Sequence, residues 1–327
     1  MEGDKRMNRR YLTLMVTAVV LILLFACGGI YFNNFMKLRV IVNLFGDNAF
    51  VGITAVGMTF VIISGGIDLS VASVIAFTSI FIAQNIHNGY HPISVMAAAL
   101  VLGALFGAFQ GWVISAFSLP PFLVTLAGMF FARGMGFIIN DVSLAIKHPF
   151  YSETIRHLAI PLQGKVRLPF TAQCLIIFVI AGTFVLGWTR FGRYVYAIGS
   201  NESSARLMGV PVDRMKVYIY ALSGFCAAAA GIVVTFYMQS GNSSSFTGLE
   251  MDAIAAAVIG GTLLTGGVGG VPGTLMGVLI LGLIQTLITF QGNLNNWWAK
   301  IFIGALLFLF ISIQQLLNRG LRSRASG

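Results

Sequence analysis

Long runs of apolar residues, each followed by a short polar break, make up most of this chain. Runs of roughly 17 to 25 residues are what an α-helix needs to cross a hydrocarbon core, whereas an outer-membrane barrel would alternate over segments of about ten residues. The pattern therefore predicts an all-α integral membrane protein with about ten transmembrane spans. We place the spans at residues 11–32, 43–64, 70–86, 93–117, 122–139, 170–189, 217–239, 252–264, 274–290 and 301–317.

The order of the spans predicts a single transmembrane domain, residues 11–317, between two tails, residues 1–10 and 318–327. The eighth span is too short to cross a bilayer alone. An even number of spans would place both tails on the same side. Spans two to five and seven to ten would then enter the membrane from opposite sides, which predicts a possible inverted repeat of four plus four.

The amino-acid composition supports the prediction of a membrane protein and adds no further class of function. Of the 327 residues, 57% are hydrophobic and 9% are charged, with a mean hydropathy of +0.88, whereas a soluble domain carries about 25% charged residues. Cys27, Cys174 and Cys226 lie far apart inside apolar runs, so we interpret them as packing residues.

The distribution of charge orients the chain. A formal net charge of +10 would suit a nucleic-acid partner, but the cations lie in tails and loops, where membrane orientation places them. The two tails and the loop at residues 190–216 hold 12 of the 20 lysines and arginines. We therefore predict that both termini and this loop are cytoplasmic, and that nucleic acid is not a partner.

The 190–216 loop contains the signals of a short helix. Asn201 or Ser200 can cap it, Glu202 suits its first turn, and Gly209 with Pro211 ends it. A loop that only connects spans needs no such helix. Two interpretations stay open at this point, a docking site for another protein and a positively charged connector.

The largest predicted external segment covers residues 141–169, which mix charged, aromatic and histidine side chains. It is either a surface for a soluble partner or a solvated connector, and composition does not separate the two.

Trp297 and Trp298 beside Lys300 predict an interfacial aromatic anchor at the external end of the tenth span.

A first break interrupts the apolar sequence between the second and third spans. Its glycine, hydroxyl and carboxylate residues are Ser64, Gly65, Gly66, Asp68 and Ser70. A carboxylate near mid-bilayer costs about 2.5 to 3.5 kcal/mol on insertion scales, so Asp68 should cap a helix, face a polar cavity or lie near an interface. We favour capping over substrate contact, because Asp68 followed by Ser70 suits a helix N-terminus.

A second break, residues 265–273, is similar to the first in its opening four positions and contains Gly266 and Gly267. Broken helices inside a membrane are tolerated where the freed backbone groups face protein or water. Both breaks are therefore candidate pathway or hinge elements, and a tight interfacial turn is the alternative for the second.

Arg133 is the only basic residue deep within a predicted span. Its possible partners are Asp68, Asp47, Asp252 or backbone carbonyls, and we favour a buried structural role over one in transport.

Neither an enzyme nor an ion-driven carrier is favoured by the sequence. The four histidines show no metal-ligand or nucleophile pattern. His87 and His91 have the spacing of helical ligands, but Gly89 and Pro92 make this stretch a turn. An ion-coupled secondary carrier, our alternative function, needs titratable groups along a pathway, and few lie within the spans. We therefore predict no catalytic residues and no metal site.

Four stretches resemble one family, the permease subunits of ABC importers for monosaccharides of the ribose, xylose and galactose type. They are residues 57–71, 122–128, 190–199 and 258–267. The resemblance covers almost the whole chain. Residues 47–50, 126–131 and 297–298 are further similar to the permeases of galactofuranose importers.

The resemblance implies a bacterial inner-membrane protein with several partners. These are a second permease, identical or related, a cytoplasmic ABC ATPase that holds ATP and magnesium, a periplasmic sugar-binding protein, and the monosaccharide. No cofactor is expected on this chain, which lacks a phosphate-binding loop. The resemblance assigns ATPase coupling to Asn201, Glu202, Ser203, Ala205, Arg206, Leu207, Met208 and Gly209.

Overall fold

Helices dominate the computed structural model, which describes residues 2–164, 166–292, 295 and 297–322. They are α1 (Glu2–Tyr31), α2 (Leu38–Asp47), α3 (Ala49–Ile63), α4 (Val71–His87), α5 (Pro92–Ala116), α6 (Pro121–Ile139), α7 (Pro149–Leu158), α8 (Phe170–Trp188), α9 (Arg190–Ser200), α10 (Glu202–Leu207), α11 (Val212–Met238), α12 (Leu249–Ile259), α13 (Val271–Gln291) and α14 (Trp297–Arg322). The helical character expected from the apolar runs is confirmed.

Four short strands are an addition that the all-α prediction missed. β1 (Leu144–Ala145) pairs antiparallel with β4 (Ser240–Gly241), and β2 (Ile160–Gln163) pairs antiparallel with β3 (Val166–Leu168). The β1–β4 pair joins the segment after α6 to the segment after α11. Strands of two to four residues carry no periodic signal, which is why the sequence did not reveal them.

Six of the described helices are long and apolar enough to cross a membrane: part of α1 together with α5, α6, α8, α11 and α13. The α2–α3 pair would be a seventh span, bent by 56°. α4 and the first part of α14 are apolar but shorter. The chain is therefore a multi-span helical membrane protein, while the count of about ten spans, the inverted repeat and the cytoplasmic termini remain predictions.

The bend between α2 and α3 was not anticipated, because residues 43–64 form one apolar run. Asn48 lies at the bend and donates from Nδ2 to the carbonyl of Leu44 at 2.8 Å. Its amide also lies directly against Gly282 of α13, where a β-carbon would overlap it. The bend therefore rests on a contact that is distant in sequence.

α11 is the central helix, and its middle is buried against α3, α4 and α5. Gly103, Gly107 and Gly111 recur every four residues on α5, a spacing that predicts close helix packing. Gly103 meets Gly224 of α11, and Gly107 meets the Tyr220 carbonyl. Backbone thus packs directly against backbone along this helix pair.

Candidate functional site

The first break lies where the sequence predicts it, between the end of α3 at Ile63 and the start of α4 at Val71. Ser64 donates to the Val61 carbonyl at 2.7 Å, and Gly65 has a positive φ of 86°. An L-residue adopts that conformation at a cost, whereas glycine does so freely. Glycine at position 65 therefore permits the sharp change of direction.

Asp68 is almost fully buried, with 1% exposure, and its carboxylate is satisfied by three hydrogen bonds. Ser70 donates to Oδ1 from its backbone nitrogen at 2.9 Å and from its hydroxyl at 2.7 Å, and Ser223 of α11 donates to Oδ2 at 2.7 Å. The bonds from Ser70 hold the carboxylate just before the N-terminus of α4, but the cap position is Ser70 itself, and no side-chain cap bond reaches the first turn. The predicted helix cap at Asp68 is therefore not formed, and the carboxylate instead ties the first break to α11. Among the described residues, no cation lies within ion-pair distance of Asp68.

Two more polar residues from neighbouring helices complete this buried cluster. Gln110 of α5 donates to the Ser70 hydroxyl at 3.1 Å. The Thr125 hydroxyl of α6 accepts from the Leu69 backbone nitrogen at 3.1 Å and lies 3.2 Å from the Ile67 carbonyl. The irregular backbone of the first break is thereby satisfied inside protein, as a break within a membrane requires.

Tyr220 of α11 is the least satisfied member of this region. Its hydroxyl is buried and has no hydrogen-bond partner among the described residues. It lies where a β-carbon on Gly66 would stand, so only glycine fits at that position. Sequence reasoning missed Gln110, Ser223 and Tyr220, although each is a polar group inside an apolar run, which was the available signal.

The second break covers residues 260–270, between Ile259 at the end of α12 and Val271 at the start of α13. The predicted range, residues 265–273, was displaced at both ends. The break begins five residues earlier, where Gly261 already has a positive φ of 93°. It ends earlier because Pro272 and Gly273 belong to the first turn of α13, where proline is well tolerated. Gly266 and Gly267 both have positive φ angles, 83° and 75°.

The two breaks are in direct contact with each other and with the 190–216 loop. The backbone nitrogen of Gly267 donates to the Ile63 carbonyl at 2.8 Å. Gly199, near the end of α9, lies against both partners of that bond, and Gly266 lies against Gly199. The two breaks and the 190–216 loop are far apart in the sequence, and the fold brings them into contact.

The short helix expected in the 190–216 loop is present as α10, preceded by the amphipathic helix α9. Asn201 caps it, because its Oδ1 accepts from the Ser204 backbone nitrogen at 2.8 Å. Ser200, the other proposed cap, is instead the last residue of α9. Gly209 follows α10 with a φ of 82°, the left-handed conformation that ends many helices.

α10 has one buried face and one fully open face. Ala205 is completely buried, whereas Leu207 and Met208 are 90% and 71% exposed. Glu202 and Ser203 are also exposed. A pair of large apolar side chains at the tip of an otherwise polar loop is the kind of surface that a protein partner covers.

Ion pairs hold α10 against the start of α11. Arg206 donates to both carboxylate oxygens of Asp213 at 2.8 Å, and Lys216 donates to Glu202 at 2.8 Å. The hydrogen bonds that Arg206 donates to Asp213, and then the negative charge of Asp213, raise the pKa of Arg206 above its usual value. Two of the cations that predicted a cytoplasmic loop therefore also fix the orientation of α10.

Arg133 binds backbone carbonyls, one of the alternatives considered from the sequence. Its Nη1 donates to the carbonyls of Ser243 at 2.9 Å and Ser245 at 2.7 Å. Asp252 is instead paired with Lys300 of α14 at 2.6 Å. Arg133 thus holds the loop between β4 and α12, a role that requires no acidic partner in direct contact.

The segment at residues 141–169 is folded rather than extended, with α7 followed by the β2–β3 hairpin. Tyr151 is buried and its hydroxyl lies 3.1 Å from the Thr235 hydroxyl, so α7 is anchored to α11; burial raises the pKa of Tyr151 to about 12. Leu158, Ile160 and Leu162 are each about half exposed. Lys165, which the sequence assigned to this segment, lies outside the described residues.

No group of three or more histidine, cysteine, aspartate or glutamate side chains that could hold a metal ion is found in the described part of the chain. The features that stand out there are two helix breaks in contact, a buried polar cluster around Asp68 and the exposed apolar end of α10.

Comparison with known proteins gives one family and several relatives. Residues 40–311 match the family described as branched-chain amino acid transport system / permease component. The chain is 50% identical over 310 residues, 94% of its length and 93% of the relative, to the inner membrane ABC transporter permease protein YjfF of Escherichia coli K12.

The names of two further relatives state the sugar that each imports. The fructose import permease protein FruG of Bifidobacterium longum is 35% identical over 95% of this chain and 92% of its own length. The ribose import permease protein RbsC of Escherichia coli K12 is 34% identical over 86% of this chain and 88% of its own. No solved structure matches the chain.

Proposed function

The chain belongs to the permease family that its residues 40–311 match, and from that premise we propose that it forms half of the membrane pathway through which a binding-protein-dependent importer admits a monosaccharide. It is an inner-membrane permease subunit of the sugar ABC transporter family and is not itself an enzyme. The energy for uptake would come from ATP, which the partner ATPase binds with magnesium and hydrolyses, and this chain would hold no cofactor.

The observation that carries the proposal is the two-sided structure of α10. Its buried residue, Ala205, fixes the helix to the permease, and its exposed residues, Leu207 and Met208, are free to enter a groove on another protein. Asn201 and Gly209 define its two ends. We assign the contact with the ATPase to residues 201–209, with Glu202 and Arg206 orienting the helix through their ion pairs.

The remaining partners follow from the same assignment. A second permease, identical or related, would complete the pathway. A periplasmic binding protein would dock on the external segment, where α7 and the β2–β3 hairpin present Leu158, Ile160 and Leu162. This orientation places both termini and α10 in the cytoplasm, in agreement with the distribution of cations.

The sugar that we propose is galactofuranose. The support is the similarity of residues 47–50, 126–131 and 297–298 to the permeases of galactofuranose importers. Named relatives that import fructose and ribose support a monosaccharide as the substrate class.

Uptake into proteoliposomes tests this function directly. The chain is reconstituted with its proposed partners, an ATPase, a second permease and a binding protein from the same organism, and labelled galactofuranose, ribose, fructose and xylose are compared with and without ATP. We expect ATP-dependent uptake of galactofuranose above the other three. Uptake that persists without the ATPase would contradict the importer assignment, and preference for another sugar would contradict only the choice of substrate.

A matched pair of variants tests the ATPase contact. Leu207→Ala removes the most exposed side chain of α10 and should reduce co-purification of the ATPase. Ile138→Ala, at the other end of the bundle, removes a side chain of similar size and 80% exposure, and should leave co-purification unchanged. Equal behaviour of the two variants would place the ATPase contact elsewhere.

A further inference from the structure

A single backbone hydrogen bond joins the two helix breaks. The Gly267 nitrogen in the second break donates to the carbonyl of Ile63, the last residue of α3, at 2.8 Å. Because the bond connects the ends of two interrupted helices, one break cannot shift far without moving the other or losing this bond.

The backbone of Gly199 in α9 packs directly against the hydrogen bond between Gly267 and Ile63, and no side chain lies between them. A β-carbon on Gly199 would overlap the Ile63 carbonyl and stand 2.7 Å from the Gly267 nitrogen, the two atoms that the bond joins. Gly266 repeats the contact from its own side, because a β-carbon there would stand 2.8 Å from the Gly199 carbonyl and 3.1 Å from the Gly65 nitrogen. The backbones of α9 and both breaks therefore meet directly.

A second bond ties α9 to the same place. The Tyr196 hydroxyl, one turn before Gly199, donates to the Gly269 carbonyl at 2.8 Å. α9 thus holds the second break at two points and the first break at one.

α10 is rigidly connected to this junction. Only Asn201 separates α9 from α10, and the buried Ala205 belongs to the same hydrophobic cluster as Ile198 of α9, Ile63 of α3 and Val271 of α13. Close-packed interiors transmit displacement rather than absorb it. A force on α10 would therefore reach the ends of both breaks through a continuous set of contacts.

We propose that Gly199 is a positioning residue through which movement of α10 reaches both helix breaks together, an inference that rests on the proposed ATPase contact of α10. In the first break the movement would act on the backbone that leads to Asp68 and its bond with Ser223. Gly199 touches neither sugar nor ATPase and acts through the Gly267–Ile63 bond.

The test uses the complete reconstituted importer and measures sugar transported per ATP hydrolysed. Gly199→Ala inserts a methyl group at the bond and should lower this ratio at least about fivefold, the lower range of typical coupling energies, while the ATPase still co-purifies. The matched control is Gly187→Ala in α8, where a β-carbon meets nothing within 4 Å, and its ratio should equal that of the wild type. A purely structural defect would lower yield and ATPase binding together and leave the ratio unchanged.

A Gly199→Ala importer that transports as much sugar per ATP hydrolysed as the wild type overturns the inference. If that variant fails to insert, Tyr196→Phe, which removes one hydroxyl, takes its place: a lowered ratio supports the junction and an unchanged ratio overturns it. A wild-type complex without ATP-dependent uptake would instead overturn the proposed function, and this inference with it.

Discussion

The Ser223 hydroxyl donates a hydrogen bond of 2.7 Å to Oδ2 of Asp68 and so ties the middle of α11 to the first break. Oδ1 is already occupied by the two bonds from Ser70. Ser223 thus supplies, from a distant helix, the hydrogen bond that Oδ2 of the buried Asp68 carboxylate needs. Removing either side chain would leave the other buried without this bond.

Ser223→Ala should lower the free energy of unfolding by about 1 to 3 kcal/mol, the cost of leaving a buried acceptor without a hydrogen-bond partner. The physical reason is that Oδ2 of Asp68 would lose its described partner while it stays buried. Thermal unfolding in detergent measures the effect. Ser244→Ala removes a hydroxyl from an exposed residue that bonds only to Asn242, and an equal shift in both variants would contradict the prediction.

Asp68→Asn separates the structural role of Asp68, its hydrogen bonds with Ser70 and Ser223, from a role in transport. Asparagine can still accept the bonds from Ser70 on Oδ1, and its Nδ2 can donate to the Ser223 hydroxyl. We therefore expect uptake close to wild type for Asp68→Asn and a large loss of stability for Asp68→Ala. An Asn variant with wild-type stability that transports nothing would show that transport requires the carboxyl group itself.

Asn201→Ala should weaken the ATPase contact by fraying α10. Loss of a helix cap costs about 1 kcal/mol, and this corresponds to roughly a fivefold weaker association when the helix must be formed to bind. Asn201→Asp keeps the capping oxygen and is the matched control. Titration of the ATPase onto detergent-solubilised permease gives the affinity, and the prediction fails if Ala and Asp variants bind alike.

Gly107→Ala should destabilise the packing of α5 on α11. Its methyl group would overlap the Tyr220 carbonyl, and overpacking of this kind costs about 1 to 3 kcal/mol. Gly134→Ala on α6 meets nothing within 4 Å and should be neutral or slightly stabilising, because alanine favours a helix. Melting temperatures of the two variants in the same detergent provide the comparison.

Arg133→Gln should release the loop between β4 and α12. The charged donor to the carbonyls of Ser243 and Ser245 is lost, and the shorter amide does not span the same distance. Limited proteolysis of vesicles should then cut this loop faster than in the wild type. Unchanged cleavage would mean that β1–β4 pairing alone holds the loop.

The sequence predicted the features that local chemistry determines. Glycines with a following carboxylate marked the first break, and Asn201 with Gly209 marked the ends of α10, because caps and left-handed glycines act within a few residues. The second break was displaced at both ends, because the apolar run continues past the end of α12 at Ile259 and because Pro272 could equally end a turn or begin a helix.

The sequence did not predict which helices meet. The bend at Asn48, the bond from Ser223 and the contact between Gly199 and Gly267 each depend on the relative positions of helices that are far apart in the chain. Arg133 shows the same limit. A buried charge predicts a partner, but the sequence did not distinguish the three aspartates from backbone carbonyls, which the structure shows to be the partners. Helix register across a bundle has no local signature.

The distance between Asp68 and Ser223 along the chain, 155 residues, bears on how the protein is made. Chains enter the membrane from the N-terminus as they are synthesised. The first break is therefore made well before α11, and during that interval Oδ2 of Asp68 is without the hydrogen bond that Ser223 supplies in the folded protein. The bond from Ser223 can form only after α11 has been made, so biogenesis of this protein has a late step that the ten helices before α11 cannot complete.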